Sequence, residues 1–275
     1  MPELPEVETF RQRLLRGKPG SPSILGKKIH SSTLLWDKTL AEPAPEEFAQ
    51  QITGQYITGV GRRGKYLLIH LSLHTLILHL RMSGEIIIES QLEPIGKHYR
   101  LLLDFEDGDR LAFNNIRKFG RAWLVIDPQS VVGKLGPEPL DDQFSSDDLH
   151  SLLHSRNRQL KYFLLDQEII AGLGNIYTDE SLHQAHLHPK KISSTLSEAE
   201  SRRLWESIRQ VLKTGIKNQG SSIDWMYRGG DYQRLLKVYN LEGEPCKTCG
   251  TPINKTRIAQ RSTYYCPHCQ PVSKS

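Results

Sequence analysis

The chain has 275 residues, 37% apolar and 24% charged, which suits about two globular domains and excludes a disordered chain. No apolar run approaches the ~18 residues of a membrane span. The N-terminus carries Glu3, Glu6 and Glu8, so it has neither the apolar core of a secretion signal nor the sign of a transit peptide, and a cytoplasmic protein is expected. The net charge of +5 sits at one end: from Cys246 onward there are Lys247, Lys255, Arg257, Arg261 and Lys274 and no acid, so residues 1–245 sum to zero.

The chain opens MPELPEVETF. The spacing predicts a helix over 5–16: Pro5 suits its first turn, Glu6 and Glu8 its positive end, and Gly17 its stop. Val7, Phe10 and Leu14 fall on one face. Excision of Met1 would leave Pro2 as a free secondary amine. An α-amino group with a pKa near 7.7–8.0 is roughly a quarter neutral at pH 7.4, against about a thousandth of an ordinary lysine. Such an amine can attack electrophilic carbon and form a permanently cationic iminium, an electron sink for elimination. Glu3 lies close enough to act as general acid or base. Read alone, PELPE is more often just an ordered N-terminus.

From about 56 to 127 the pattern turns strand-like. KYLLIHL, TLILHLRM, EIIIES, YRLLLDF, DRLAF and AWLVID are short β-rich runs, and Asp107-Gly108 marks a hairpin. A helix leading into a β-sandwich or barrel is expected. Lys65 stands at a basic turn with Arg62 and Arg63, read either as solvated or as a phosphate contact. LHLRMSGE and NNIRKFGR each place a basic residue beside a bulky apolar one at a glycine turn. Met82 and Phe119 are either core residues or a wedge for a base step, with Arg117 on the freed base. His98, after Gly96-Lys97, sits among the phosphate-binding candidates.

IDPQSVVGKLGPEPLDDQF is rich in Pro and Gly and lacks periodicity, so a domain boundary falls near 130–140. Helices are predicted over 146–155, 158–170, 175–185 and 198–213. The last opens with a capping box, Ser197 and Glu200, and repeats Leu204, Ile208, Val211 and Leu212 on one face. Gly172, Gly174 and Asn175 precede the third, a turn that either offers backbone N–H groups to a phosphate or only joins two helices. Between the last helix and the cysteines lies NQGSSIDWMYRGGDYQ, long for a structureless connection.

Cys246, Cys249, Cys266 and Cys269 form two C-x2-C pairs with sixteen residues between them, a tetrathiolate zinc spacing. Four thiolates leave no open coordination position, so one structural Zn²⁺ is expected. TPINKTRIAQ and RSTYYC between the pairs read as two strands around a turn that presents Arg257 and Arg261. Either arginine could compensate the zinc–thiolate charge of about −2 instead of binding phosphate.

MPELPEVET, RRGKYLL, HLRMSG, RKFG, LGPEPL, AGLGNIYTDESL and CKTCGTPI…AQRSTYYCPHC, in this order from end to end, resemble formamidopyrimidine-DNA glycosylase, the bacterial-type bifunctional enzyme that removes 8-oxoguanine and ring-opened purines. The resemblance implies an α+β fold: an N-terminal helix and β-sandwich domain (1–130), a helix–two-turns–helix domain (131–239) and a four-cysteine zinc-finger β-hairpin (240–275), with damaged double-stranded DNA in the cleft and a monomer as the working unit. It implies that Pro2 attacks C1′ of a flipped nucleotide, that β,δ-elimination cuts the strand, and that Glu3 is the acid/base residue with Glu6 supporting it. Lys65, Asn175 and Arg261 would hold phosphates. Met82, Arg117 and Phe119 would fill the hole left by flipping, and Lys161 and His98 match positions near the DNA. The stretch 220–239 corresponds to the family's base-capping loop but departs from its pattern, notably at Asp231. Two rivals stand beside this reading: the endonuclease VIII branch, which prefers oxidised pyrimidines, and a non-catalytic damage binder.

Overall fold

In the computed structural model the described residues are 1–17, 20–222 and 229–272. They form two compact units: Met1–Lys134 with Ser221–Gly230, and Leu135–Gly220 with Asp231–Ser275.

The first unit opens with α1 (Leu4–Arg16), followed by β1 (Ile29–Leu34), β2 (Leu40–Glu42), α2 (Pro45–Ile52), β3 (Ile57–Arg63), β4 (Tyr66–Leu71), β5 (Thr75–His79), β6 (Gly84–Ser90), β7 (Tyr99–Phe105), β8 (Asp109–Asn115), β9 (Arg121–Val125) and α3 (Gln129–Val132). One sheet has the order β1-β7-β8-β6, the other β2-β9-β5-β4-β3, antiparallel except for β2 on β9. Leu101, Leu103, Leu111 and Phe113 of the first sheet share one apolar core with Leu67, Ile69, Leu76 and Leu78 of the second, which makes the pair a sandwich. Val7, Phe10 and Leu14 enter the same core, and α1 lies against β3 and β4. The Asp107-Gly108 turn joins β7 to β8 as expected, with Gly108 left-handed.

The second unit contains α4 (Ser146–His154), α5 (Leu160–Leu165), α6 (Asn175–Gln184), α7 (Glu198–Lys217), β10 (Asn254–Ile258) and β11 (Arg261–Tyr265). α4 and α6 pack on α7, and α6 packs on β11. α7 begins at the expected capping box, with Ser197 Oγ accepting from Glu200 N–H, and runs four residues beyond 213. α5 stops at Leu165 instead of continuing to 170. There the chain turns back, with Ile169 and Ile170 N–H donating to Asp166 O and Gly136 N–H to Gln167 O. The hairpin β10–β11 turns through Ala259 and Gln260, both left-handed, the two-residue geometry that matches strand twist. A small core of Val238, Ile253, Tyr264, Cys246 and Cys266 closes over it. Among the described residues no helix is long and apolar enough to cross a membrane.

Candidate active site

The start of α1 is enclosed. Pro2 is buried and Glu3 is 2% exposed. The Glu6 carboxylate accepts from Glu3 N–H (2.8 Å) with one oxygen and from Ser221 N–H (2.7 Å) with the other. One buried carboxylate thus satisfies a helix-start donor and ties residue 221 to the residue that follows Pro2. Further along, Glu8 holds Arg11 (2.7 Å) and Arg62 (3.2 Å). Burial alone would raise the Glu8 carboxyl, yet Arg11, Gln12 and Arg62 keep it below the usual carboxylate range. Arg62 also donates to Gly64 O (3.0 Å), which pins the β3–β4 turn carrying Lys65. Lys65 is 6% exposed, not solvated. Its charge is felt at His79, which burial, Arg81 and Lys65 together push down to about 3.

His79 is neutral at pH 7 and organises the next turn. Its Nδ1 accepts from Arg81 N–H (3.0 Å), and Arg81 adopts a left-handed conformation. Met82 follows, exposed. Across the sheet Gly84 is paired with Asn115, and Asn115 joins the two glycine turns. Its Oδ1 accepts from Phe119 N–H (3.1 Å) and Ser83 Oγ (3.4 Å), while Ser83 Oγ accepts from Arg117 N–H (3.1 Å). Asn115 N–H donates to His98 O (2.8 Å). The structure therefore gathers Met82, His98, Arg117 and Phe119 around one buried asparagine. Phe119 is 51% exposed with the Arg117 guanidinium 5.2 Å from its ring centre, so neither Met82 nor Phe119 is a core residue. Gly120 cannot be enlarged, because a Cβ there would lie 2.4 Å from Asn115 Nδ2 and from Phe113.

In the second unit α6 starts at Asn175, whose Nδ2 donates to Ser262 O (2.9 Å). That bond sets the helix start beside the strand whose first residue is Arg261, which is exposed. Lys161 departs from expectation. It is fully buried, with Nζ 2.7 Å from Asp179 Oδ1 and 3.1 Å from Asn175 O, so its ammonium braces the start of α6 and does not reach a surface-bound backbone. Asp179 Oδ2 accepts from Tyr264 N–H (3.0 Å). Burial pushes the Asp179 carboxyl up to about 6 against the pull of Lys161. Glu180 accepts from Lys237, Val238 and Tyr239 N–H. Asp179→Ala leaves Lys161 buried without its counter-charge. We expect it to lower unfolding stability by about 3–5 kcal/mol, measured by urea denaturation, whereas an exposed pair contributes ~1 kcal/mol or less.

The four cysteines converge, with ligand sulfurs within 4.8 Å of one another. Three of the separations are 3.5, 3.5 and 3.9 Å. A zinc tetrahedron with Zn–S bonds of about 2.3 Å has edges near 3.8 Å, so Cys246, Cys249, Cys266 and Cys269 fit one structural zinc ion. The ion's chemistry here is to hold the hairpin.

Several residues in these networks are not singled out by the sequence although the quoted motifs contain them: His79 opens HLRMSG, Asn115 lies in NNIRKFGR, and Asp179 and Glu180 lie in AGLGNIYTDESL. Each is polar, lies within a strand or helix and is buried by tertiary packing. Residues 223–228, inside the expected capping stretch, lie outside the described residues. Asp231 in the same stretch sits 3.4 Å from Arg234.

Three family models match in order: the formamidopyrimidine-DNA glycosylase N-terminal domain over residues 1–122, the H2TH domain of that glycosylase over 135–226, and the zinc finger found in FPG and IleRS over 243–272. Formamidopyrimidine-DNA glycosylase of Pelotomaculum thermopropionicum is 43% identical, covering 99% of this chain and 100% of the relative. That of Protochlamydia amoebophila is 43% identical over 98% and 99%. Among solved structures, MutM in complex with carbocyclic 8-oxo-G containing DNA aligns with a TM-score of 0.90 at 37% identity, covering 98% of this chain and 100% of that one. Lactococcus lactis FPG with a FAPY-dG containing DNA aligns at 0.90 and 36% over the same shares.

Proposed function

Because the chain belongs to the formamidopyrimidine-DNA glycosylase family, we propose that it is a bifunctional DNA glycosylase and AP lyase that flips oxidised purines out of duplex DNA and excises them. The observation that supports this most is the enclosure of the chain's start. Pro2 and Glu3 are buried directly ahead of α1, held by Glu6, with the buried cation Lys65 on the neighbouring turn. After Met1 is removed, the Pro2 amine attacks C1′ of the extruded nucleotide. The base departs and an iminium joins Pro2 to the sugar. Glu3 relays protons, and loss of both flanking phosphates cuts the strand. Lys65, Asn175 and Arg261 hold phosphates, and the start of α6 adds its own attraction for anions. Extrusion costs a few kcal/mol, and the exposed Met82, Arg117 and Phe119 offset it by occupying the vacated stack. Residues 1–130 carry the chemistry, 131–239 the docking helices and 240–275 the finger. The enzyme acts as a monomer in the cytoplasm, where its substrate lies.

Borohydride trapping on a duplex with one 8-oxoguanine opposite cytosine tests the reading, with intact mass and peptide mapping as the readout. A covalent adduct on Pro2 is expected. Trapping only on an abasic duplex would keep the lyase chemistry and mean that the base pocket is tuned to another lesion, and trapping on a duplex carrying an oxidised pyrimidine would move the lesion class toward the endonuclease VIII branch. No adduct on any of them would leave a damage binder. Phe119→Ala should weaken binding to an abasic duplex on the order of 10-fold, read by anisotropy, because one base–aromatic contact is worth about 1–3 kcal/mol. Its half-exposed ring predicts a change in unfolding stability within about 0.5 kcal/mol.

A further inference from the structure

The zinc hairpin is joined to α6 through the metal site itself. His183, on the buried face of α6, places Nε2 3.5 Å from Cys246 Sγ. Imidazole and sulfur are both nearly inaccessible, at 2% and 3% exposure. The other ring nitrogen, Nδ1, is buried and has no hydrogen-bond partner among the described residues. That orphan fixes the tautomer. A neutral imidazole has one N–H and one lone pair, and a buried N–H without an acceptor is the rarer and costlier arrangement. The lone pair therefore belongs on Nδ1 and the N–H on Nε2, facing a sulfur that, as a metal-bound thiolate, can only accept.

We propose that His183 is a positioning residue of the zinc site: its Nε2–H donates to the Cys246 thiolate and slows loss of the metal. Two of the other three sulfurs draw donors from within the finger, Cys266 from Cys269 N–H (3.4 Å) and Cys249 from Thr251. Cys246 is bonded from a helix some sixty residues earlier in the chain. A bond of this kind withdraws charge from a site carrying about −2 and makes the sulfur less basic, which opposes the protonation that frees a thiolate from zinc. It also couples occupancy of the metal site to α6, the helix that starts at Asn175. The neighbouring His186 adds a second link, with Nδ1 3.3 Å from Cys269 O.

Two measurements on the full-length, metal-loaded protein decide the matter. In the wild type, long-range ¹H–¹⁵N spectra of the histidine rings should show His183 protonated at Nε2. After ¹¹³Cd substitution that N–H should couple to the metal through the sulfur. Protonation at Nδ1, or an uncoupled Nε2–H, overturns the proposal with no variant needed. In the second, zinc release to excess chelator is followed with a metallochromic indicator. His183→Phe keeps the ring volume without the donor and should release zinc on the order of 10-fold faster, within the 10–100-fold range typical for partners of metal ligands. His183→Gln, whose amide can donate, should recover part of the loss. A folded Phe variant that releases zinc at the wild-type rate overturns the proposal. If that variant does not fold, the wild-type spectra alone decide.

Discussion

An enzyme extended by two uncleavable residues ahead of Met1 should lose at least about 99% of its strand cleavage at pH 7.4 and give no borohydride-trapped adduct. The extension places the Pro2 nitrogen in a peptide bond, where its lone pair is delocalised and cannot attack. The size of the loss follows from the replacement available. If an ordinary lysine took over, only about a thousandth of it would be neutral at that pH, against roughly a quarter of an α-amine, a deficit of about two hundredfold. The two nucleophiles also differ in pH dependence. A lysine-driven residue of activity climbs about tenfold per pH unit toward pH 10, whereas the native rate levels off once pH passes the amine's own pKa. The extension is mild structurally, because Met1 already stands half-buried ahead of Pro2 while the Glu6 bonds to Glu3 and Ser221 N–H are in place. Duplex affinity should therefore change little while chemistry disappears. Cleavage retained at the wild-type rate would remove Pro2 from the mechanism. Affinity lost in parallel with cleavage would mean that the chain's start is a DNA contact.

How much of this was legible beforehand depends on whether a signal was local. α1, α7 and the hairpin β7–β8 were readable because caps, periodicity and turn residues lie within a few positions of the elements they define. The cysteine spacing was readable because a metal imposes a fixed ligand geometry on the chain. β3 falls in the strand-like region expected from about 56 but was not a run of its own: ITGVGRR shows no clean alternation and carries two glycines, and β4 pairs with it. α6 shows the same limit at the site. Asp179, Glu180 and His183 look like the wet face of a helix, yet Tyr264 N–H and three consecutive N–H groups at 237–239 satisfy the two carboxylates, and the His183 ring is buried against Cys246. Lys161 was matched only to a position near the DNA. A lysine's partner cannot be read from sequence when it is an aspartate eighteen residues away on another helix. Met82 and Phe119 posed the opposite problem. Their apolar character suggested the core, and only the Asn115 bonds that hold both turns open toward solvent show otherwise.

The metal gives the second large effect. Zinc removal by chelation, or Cys249→Ser, should lower affinity for a damaged duplex by about 10–150-fold and reduce the slope of log K against log salt by about one. The reason is that β10 and β11 have little else to fold around. Their apolar core is a handful of side chains, two of them the ligand cysteines themselves, and the turn at Ala259 and Gln260 holds two non-glycine residues left-handed. A structural zinc contributes on the order of 10–16 kcal/mol to such sites, far more than this core can replace. Without the ion, Arg261 loses the strand that presents it, and Asn175 loses the Ser262 carbonyl that orients its amide. One charge-assisted hydrogen bond to phosphate contributes about 1.5–3 kcal/mol, which sets the expected loss of affinity. One phosphate contact fewer sets the expected change in salt slope. Anisotropy titrations at several salt concentrations, before and after metal removal, measure both. A zinc-free protein that bound with unchanged affinity and unchanged slope would show that Arg261 compensates the thiolate charge and does not touch the phosphate, the alternative that the basic hairpin left open.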